Sequence, residues 1–120
     1  MQLSNDIFDV CKDWQSGVST LVTTATKIKE LRFHYTALLQ VGTRAAYRSG
    51  YKKKNVRKFL GIIMLGIFSR CYVCLDQLEK LEKRSAGIFD LQAYSRKDLI
   101  CDMDTAGNKW SSLRYLFKKL

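Results

Sequence analysis

The segment FLGIIMLGIFSRCYVCLDQLEKL, Phe59–Leu81, decides the fold class of this chain. Apolar residues recur in it at spacings of four and three, which is the period of one face of an α-helix. These residues are Leu60, Met64, Ile67, Cys71, Cys74, Leu78 and Leu81. The pattern ends near Arg84, and Gly87 follows at a position where helix C-termini favour glycine. The segment therefore predicts one long amphipathic helix.

A second helical pattern fills the N-terminal third of the chain. From Ile7 to Leu39 the apolar positions again alternate between spacings of four and three, and Ser4 can cap the start. The stretch Val18–Thr26 is rich in β-branched residues, which favour strands, but the helical period continues on both sides of it. We therefore predict a long helix over Ile7–Leu39, kinked at Gly17.

Between the two long patterns, the expected helix boundaries are set by single residues. Gly42 is predicted to end the first helix, and Thr43 can begin a new one. Asn55 can cap the second long helix, unless the helix continues through Gly50. These positions frame a basic segment, Arg44–Lys58.

The C-terminal third contains two shorter helical signals. Ser95 and Asp98 approximate a capping box before a short apolar run. A turn is expected over Asp104–Asn108, around Gly107, and a last helix over Lys109–Leu120. This helix places its apolar residues on one side: Trp110, Leu113, Phe117 and Leu120.

The composition agrees with these patterns. The chain has 120 residues, which fits one domain over 1–120, and no proline, which interrupts helices. We predict an all-α helical bundle with two long amphipathic helices and two shorter C-terminal helices.

The positive charge is concentrated in the middle of the chain. The formal net charge is +10, yet none of the 11 acidic residues lies between Leu31 and Leu75. That window holds the basic residues Arg32, Arg44, Arg48, Lys52, Lys53, Lys54, Arg57, Lys58 and Arg70. A local imbalance of this kind indicates a polyanionic partner, either nucleic acid or an anionic membrane.

The basic segment has the composition of a nucleic-acid-binding surface. Placed on one helix, its residues form a continuous stripe of Arg44, Tyr47, Arg48, Tyr51, Lys52, Asn55 and Lys58. Lysine and arginine neutralise phosphates, and tyrosine stacks on bases or donates hydrogen bonds. We expect phosphate contacts from Arg44, Arg48, Lys52, Lys53, Lys54, Arg57 and Lys58, with Tyr47 and Tyr51 stacking or hydrogen bonding.

The apolar run Phe59–Phe68 allows two interpretations. Ten residues span about 15 Å as a helix, half the thickness of a bilayer core, and Arg70 then interrupts the run. A shallow insertion beside membrane-bound lysines is one interpretation. The favoured one is a fully buried central helix of the bundle.

No motif for catalysis or cofactor binding is found. Cys71 and Cys74 have CxxC spacing, but Cys11, Cys101 and His34 are isolated in sequence, whereas zinc sites usually combine two pairs. We expect buried structural thiols, no metal, no cofactor and no enzymatic activity. Met1–Phe8 lacks the apolar region of a secretory signal, so we expect an intracellular protein, cytoplasmic or nuclear or at a membrane surface.

The leading hypothesis is a non-enzymatic, homo-oligomeric nucleic-acid-binding protein that grips the phosphate backbone, of RNA rather than DNA. The alternatives are a peripheral membrane protein of matrix-like or pore-forming type and a helical protein-interaction module. In general design the chain resembles small helical viral accessory proteins that lay two long helices along double-stranded RNA; the likeness is one of architecture and no motif carries it.

Overall fold

The structure is a computed structural model that describes residues 2–101 and 106–119, and these residues contain helices and no strands. The all-α class is therefore confirmed. The helices are α1 Gln2–Phe8, α2 Val10–Gln15, α3 Ile28–Tyr47, α4 Lys53–Ile63, α5 Ser69–Arg84, α6 Arg96–Leu99 and α7 Ala106–Lys119. A π-helical segment, Met64–Phe68, joins α4 to α5, and Leu91–Ala93 forms a 3₁₀ turn.

The long helix predicted around Phe59–Leu81 is present. It runs for 32 residues, Lys53–Arg84, and widens by one π-helical stretch in the middle. It ends at Arg84, and Gly87 follows with a φ of 79°, a left-handed conformation that glycine adopts without strain. Its N-cap is Lys52, so the prediction that Asn55 caps this helix is wrong.

The predicted helix over Ile7–Leu39 is broken, because residues 16–27 are not helical. Gly17 has a φ of 72°, which ends the helical path after α2. Beyond it, the amide of Thr20 donates to Thr23 Oγ1 at 2.8 Å, and the amide of Thr23 donates to Thr20 Oγ1 at 3.1 Å. Such side-chain bonds offer backbone groups an alternative to the helical ladder. The local chemistry of the threonines outweighs the apolar period here.

Two other boundaries differ from those predicted. Gly42 does not end a helix, because α3 continues through it to Tyr47, and the chain turns instead at Gly50, whose φ is 86°. The last helix begins at Ala106, so Gly107 and Asn108 are helical and not part of a turn. The rest of the predicted turn, residues 104 and 105, lies outside the described residues, as does residue 120. The capping box of Ser95 and Asp98 is confirmed at the start of α6.

Helix α5 forms the centre of the core. Cys71, Tyr72 and Leu75 are fully buried in it, and α1, α3 and α7 pack around them. The ring of Tyr72 meets Tyr35 edge-on, with ring centroids 5.3 Å apart, and stacks on Tyr115 at 5.1 Å. The hydroxyl of Tyr72 lies 2.7 Å from Thr36 Oγ1. Through these ring contacts one α5 residue, Tyr72, packs against both α3 and α7.

Arg32 of α3 also links α3, α5 and α7, through ion pairs and hydrogen bonds. Its Nη2 lies 2.6 Å from Asp76 Oδ1 and its Nε 2.8 Å from Glu79 Oε1. The hydroxyl of Tyr115 donates to both oxygens of Asp76, each at 2.8 Å. Burial lowers the pKa of the Arg32 guanidinium, but its hydrogen bonds to Glu79 and Asp76 outweigh burial and raise that pKa above its ordinary value. Arg32 therefore does not contribute to the uncompensated charge.

The second half of α3, the turn at 48–52 and α4 lie at the edge of this core, and Thr36 and Leu39 contact it; we call residues 36–63 the arm. Among the side chains described from 36 to 68, Val56 alone is buried. Phe59 and Ile62, from the apolar run, keep 56% and 63% of their surface exposed. The interpretation of Phe59–Phe68 as a fully buried central helix is therefore wrong, because α5 fills the core and α4 lies beyond it.

The Arg32 network generates a stability prediction with a matched control on the same helix. Arg32→Ala removes the partner of two carboxylates and is expected to lower the free energy of unfolding by about 2–3 kcal/mol. Arg44→Ala, at an exposed position on α3 without an ion pair to any described residue, is expected to change it by less than about 0.5 kcal/mol. Urea unfolding monitored by circular dichroism measures both. Equal effects of the two substitutions would show that the network does not hold α3 to the core.

Candidate polyanion-binding arm

The structure places every predicted binding residue on the exposed surface at one end of the arm. Arg44 and Tyr47 lie in the last turn of α3, and Arg48, Tyr51 and Lys52 in the connecting turn. The α4 residues of the set are Lys53, Lys54, Arg57 and Lys58. They do not form one stripe on one helix, because the chain reverses at Gly50. They are instead shared by two helix ends and the turn that joins them.

The cations of α4 share one side of that helix. Lys53, Lys54, Arg57 and Lys58 have the spacing i, i+1, i+4 and i+5, which places them on one face. Val56, the buried residue of α4, lies on a different face, where it packs inside the arm. The basic face of α4 is therefore directed away from the packing within the arm.

These cations form no ion pair with any carboxylate of the described residues. Within 2–101 and 106–119, ion pairs join Arg32 to Asp76, Arg32 to Glu79 and Arg84 to Asp98, all outside the arm. The arm contains no acidic residue. Its seven basic residues between 44 and 58 therefore create a region of positive potential that acts on anything that approaches it.

The position of the lysines at the start of α4 opposes helix stability. Lys52 is the N-cap and makes no capping hydrogen bond with its side chain, and Lys53 and Lys54 follow, with no acid in the first turn. A helix N-terminus carries partial positive charge, so each cation there costs about 0.3–1 kcal/mol. Residues that break a local rule in this way are expected where function requires them.

Two tyrosines lie among the basic residues of the arm. Tyr51 is 75% exposed, and Tyr47 is also exposed. Tyr51 lines a shallow recess of about 380 Å³ together with Asn55 and Phe59. An exposed aromatic ring beside cations is able to stack on an unpaired base while the cations hold the neighbouring phosphates.

An apolar groove lies next to the cations, and the sequence analysis did not predict it. Its volume is about 270 Å³, and it lies between the two helices of the arm and α1. Its lining includes Leu38, Leu39, Phe59, Leu60 and Ile63 of the arm and Leu3 and Ser4 of α1. The sequence signal for it is present, because Phe59–Phe68 is apolar on every side and a helix packed on one face leaves the rest exposed. Exposed apolar surface of this kind marks a site of interaction.

The cysteines belong to the core. Cys11, Cys71 and Cys74 are buried and Cys101 is half-buried, and none forms a disulfide. Burial raises the pKa of the Cys71 thiol, and a hydrogen bond to Cys101 together with burial raises that of Cys74. Neutral, buried thiols of this kind are poor nucleophiles and metal ligands. His34 is exposed, and across the described part of the chain no three metal-binding side chains cluster.

Comparison of the chain with protein-family models, with curated protein sequences and with solved structures finds no match. The fold and the site therefore define the protein only as an all-α protein with an exposed cationic helical arm.

Proposed function

We propose that the protein binds nucleic acid non-enzymatically and grips its phosphate backbone with the cationic end of the arm. The observation that supports this proposal most is the group of seven exposed basic residues, unpaired with any described carboxylate, three of which stand where a helix disfavours them. Neutralising phosphates releases condensed counterions, which is the main source of affinity in backbone recognition. The free energy gained on binding offsets the cost of placing these lysines at a helix N-terminus.

RNA fits the arm better than DNA does. The arm offers cations and aromatic rings, and no set of side chains arranged to read base edges in a major groove. RNA presents unpaired bases in loops and bulges, and aromatic side chains such as Tyr47 and Tyr51 recognise such bases by stacking.

The charge-reversed variant with Lys52, Lys53 and Lys54 replaced by glutamate tests the proposal. We expect duplex RNA to bind roughly 100-fold more weakly at low salt, with the slope of log Kd against log salt reduced by about 2–3. The same variant is expected to raise the free energy of unfolding by about 1–2 kcal/mol, because acids replace cations at a helix N-terminus. A salt series of RNA binding and urea unfolding measure the two effects.

The matched control carries the same change of charge away from the arm, at the exposed residues Lys80, Lys83 and Lys97. We expect it to reduce RNA affinity by less than about fivefold, since only the long-range field changes. RNA affinity that falls equally in both variants, or in neither, contradicts the proposal.

An anionic membrane is the second candidate, and a different observation favours it. Phe59 and Ile62 are exposed one helical turn beyond the lysines, and a membrane surface covers apolar and cationic side chains together, whereas a nucleic acid covers only the latter. The helix Lys53–Arg84 has the length and hydropathy of a membrane span, although α5 forms the core of the fold. Homo-oligomerisation stays a prediction.

Replacement of Phe59 and Ile62 by glutamine separates the two candidates, since glutamine retains helix propensity. If nucleic acid is the partner, we expect RNA affinity to stay within about twofold of the unmodified protein. If an anionic membrane is the partner, flotation with phosphatidylserine-containing vesicles is lost in this variant, and RNA does not compete with the vesicles. Lipid binding that survives nuclease treatment, without RNA affinity, overturns the nucleic-acid proposal.

A further inference from the structure

Helix α7 presents its apolar side to solvent and not to the core. It packs on α5 through other residues: Ser112 Oγ lies 2.8 Å from Ser69 Oγ, and the ring of Tyr115 stacks on Tyr72. Trp110 keeps 65% and Phe117 keeps 77% of its surface exposed. The two aromatic residues are seven apart, so they lie on one side of the helix, about 10 Å from each other along its axis.

A pocket of about 510 Å³ opens between these rings and α5. Its lining consists of Asp76 of α5 and the α7 residues Trp110, Ser111, Arg114, Tyr115, Phe117 and Lys118. Around the axis of α7, Arg114 and Lys118 lie between the two exposed aromatic residues and Tyr115. The volume lies within the range of about 300–1,000 Å³ that small-ligand sites occupy.

The charge of the pocket selects an anionic ligand. Arg114 and Lys118 are exposed and form no ion pair with any carboxylate in the described ranges. Among the described residues of the lining the one carboxylate is Asp76, and it is already engaged by Arg32 at 2.6 Å and by Tyr115 at 2.8 Å. The pocket therefore combines two aromatic rings with two uncompensated cations, which complements a flat aromatic group joined to a phosphate.

Contacts of α7 connect this pocket with the base of the arm. Ser112 of α7 bonds Ser69 in the first turn of α5, and α7 also contacts the π-helical segment Met64–Phe68, from which α4 leads into the arm.

We propose that the pocket beside Trp110 and Phe117 holds an unpaired nucleotide of a nucleic acid strand. The base stacks on the indole ring of Trp110, Phe117 bounds the other end of the pocket, and the phosphate binds Arg114 and Lys118. The inference rests on the proposed nucleic-acid function and deepens it, because it makes the preferred ligand a strand with an unpaired segment. The arm binds the phosphate backbone of the nucleic acid, and α7 binds a base that would be inaccessible in a duplex.

The experiment uses the intrinsic fluorescence of Trp110. The chain contains two tryptophans, so Trp14→Phe leaves Trp110 as the only one. We expect a single-stranded oligouridine to quench this fluorescence, because a stacked base contacts the indole ring. Phe117→Ala or Trp110→Ala is expected to weaken single-strand binding between fivefold and about 150-fold, while duplex RNA affinity changes by less than about twofold.

Leu113→Ala is the matched control, since Leu113 is an exposed apolar residue of α7 that does not line the pocket. It is expected to leave both affinities unchanged. Arg114→Gln should lower the salt slope of single-strand binding by about 0.7, as expected for one lost phosphate contact. Circular dichroism checks that each exposed substitution keeps the helical content.

The outcomes distinguish this inference from the function on which it rests. Duplex RNA that binds through the arm, with no quenching of Trp110 by oligouridine, overturns the pocket and leaves the proposed function standing. Absence of binding to both duplex and single strand overturns the proposed function and the pocket with it. Quenching by phosphatidylserine vesicles and not by oligouridine also overturns the inference.

Discussion

The attachment of α3 to α5 and α7 is the constraint on which the rest of the structure depends. Arg32 bridges Asp76 and Glu79, and Tyr72 is held between Tyr35 and Tyr115. All of the α3 contacts in this set come from its first half. Helix α5 fills the centre of the core, and α4, which precedes it in the same long helix, packs beside the second half of α3. The arm and its exposed surface follow from this arrangement.

The arm combines features that lower stability with features that support binding. Lys52, Lys53 and Lys54 stand at a helix N-terminus whose partial charge repels them, and Phe59 and Ile62 are exposed to water. Arg32, by contrast, is a basic residue that stabilises the fold, because it is paired with two carboxylates. The difference between the paired Arg32 and the unpaired arm residues is the physical basis for assigning the arm to a partner.

Local sequence signals predicted the parts of the fold that depend on local interactions. The helix around Leu60–Leu81 and the capping box at Ser95 were both found, because period and capping act within a few residues. The break at Gly17 and the threonine hydrogen bonds beyond it also depend on local interactions. They were missed because the apolar period on both sides indicated one continuous helix. Gly42 illustrates the opposite error, since a helix with tertiary contacts tolerates a glycine.

The sequence did not predict which apolar residues are exposed in the folded protein. Trp110 and Phe117 lie on the apolar side of an amphipathic helix, and such a side normally packs against the core. Whether it does so depends on which α7 residues contact α5. The partners of Arg32 are 44 and 47 residues away, and no motif links them. The candidate binding residues were predicted as a set, because the local excess of basic residues is visible in the composition. Their division between two helix ends required the structure.

Hydrogen exchange of the free and RNA-bound protein, read by mass spectrometry, tests the central claim that a weakly supported cationic arm is the binding element. In the free protein, amides of α5 over residues 71–81 should exchange slowest and those of the arm much faster. Duplex RNA should then protect residues 44–58 and leave 85–99 unchanged. Arm amides that exchange as slowly as those of α5 in the free protein, or protection by RNA that spares 44–58, would contradict this account.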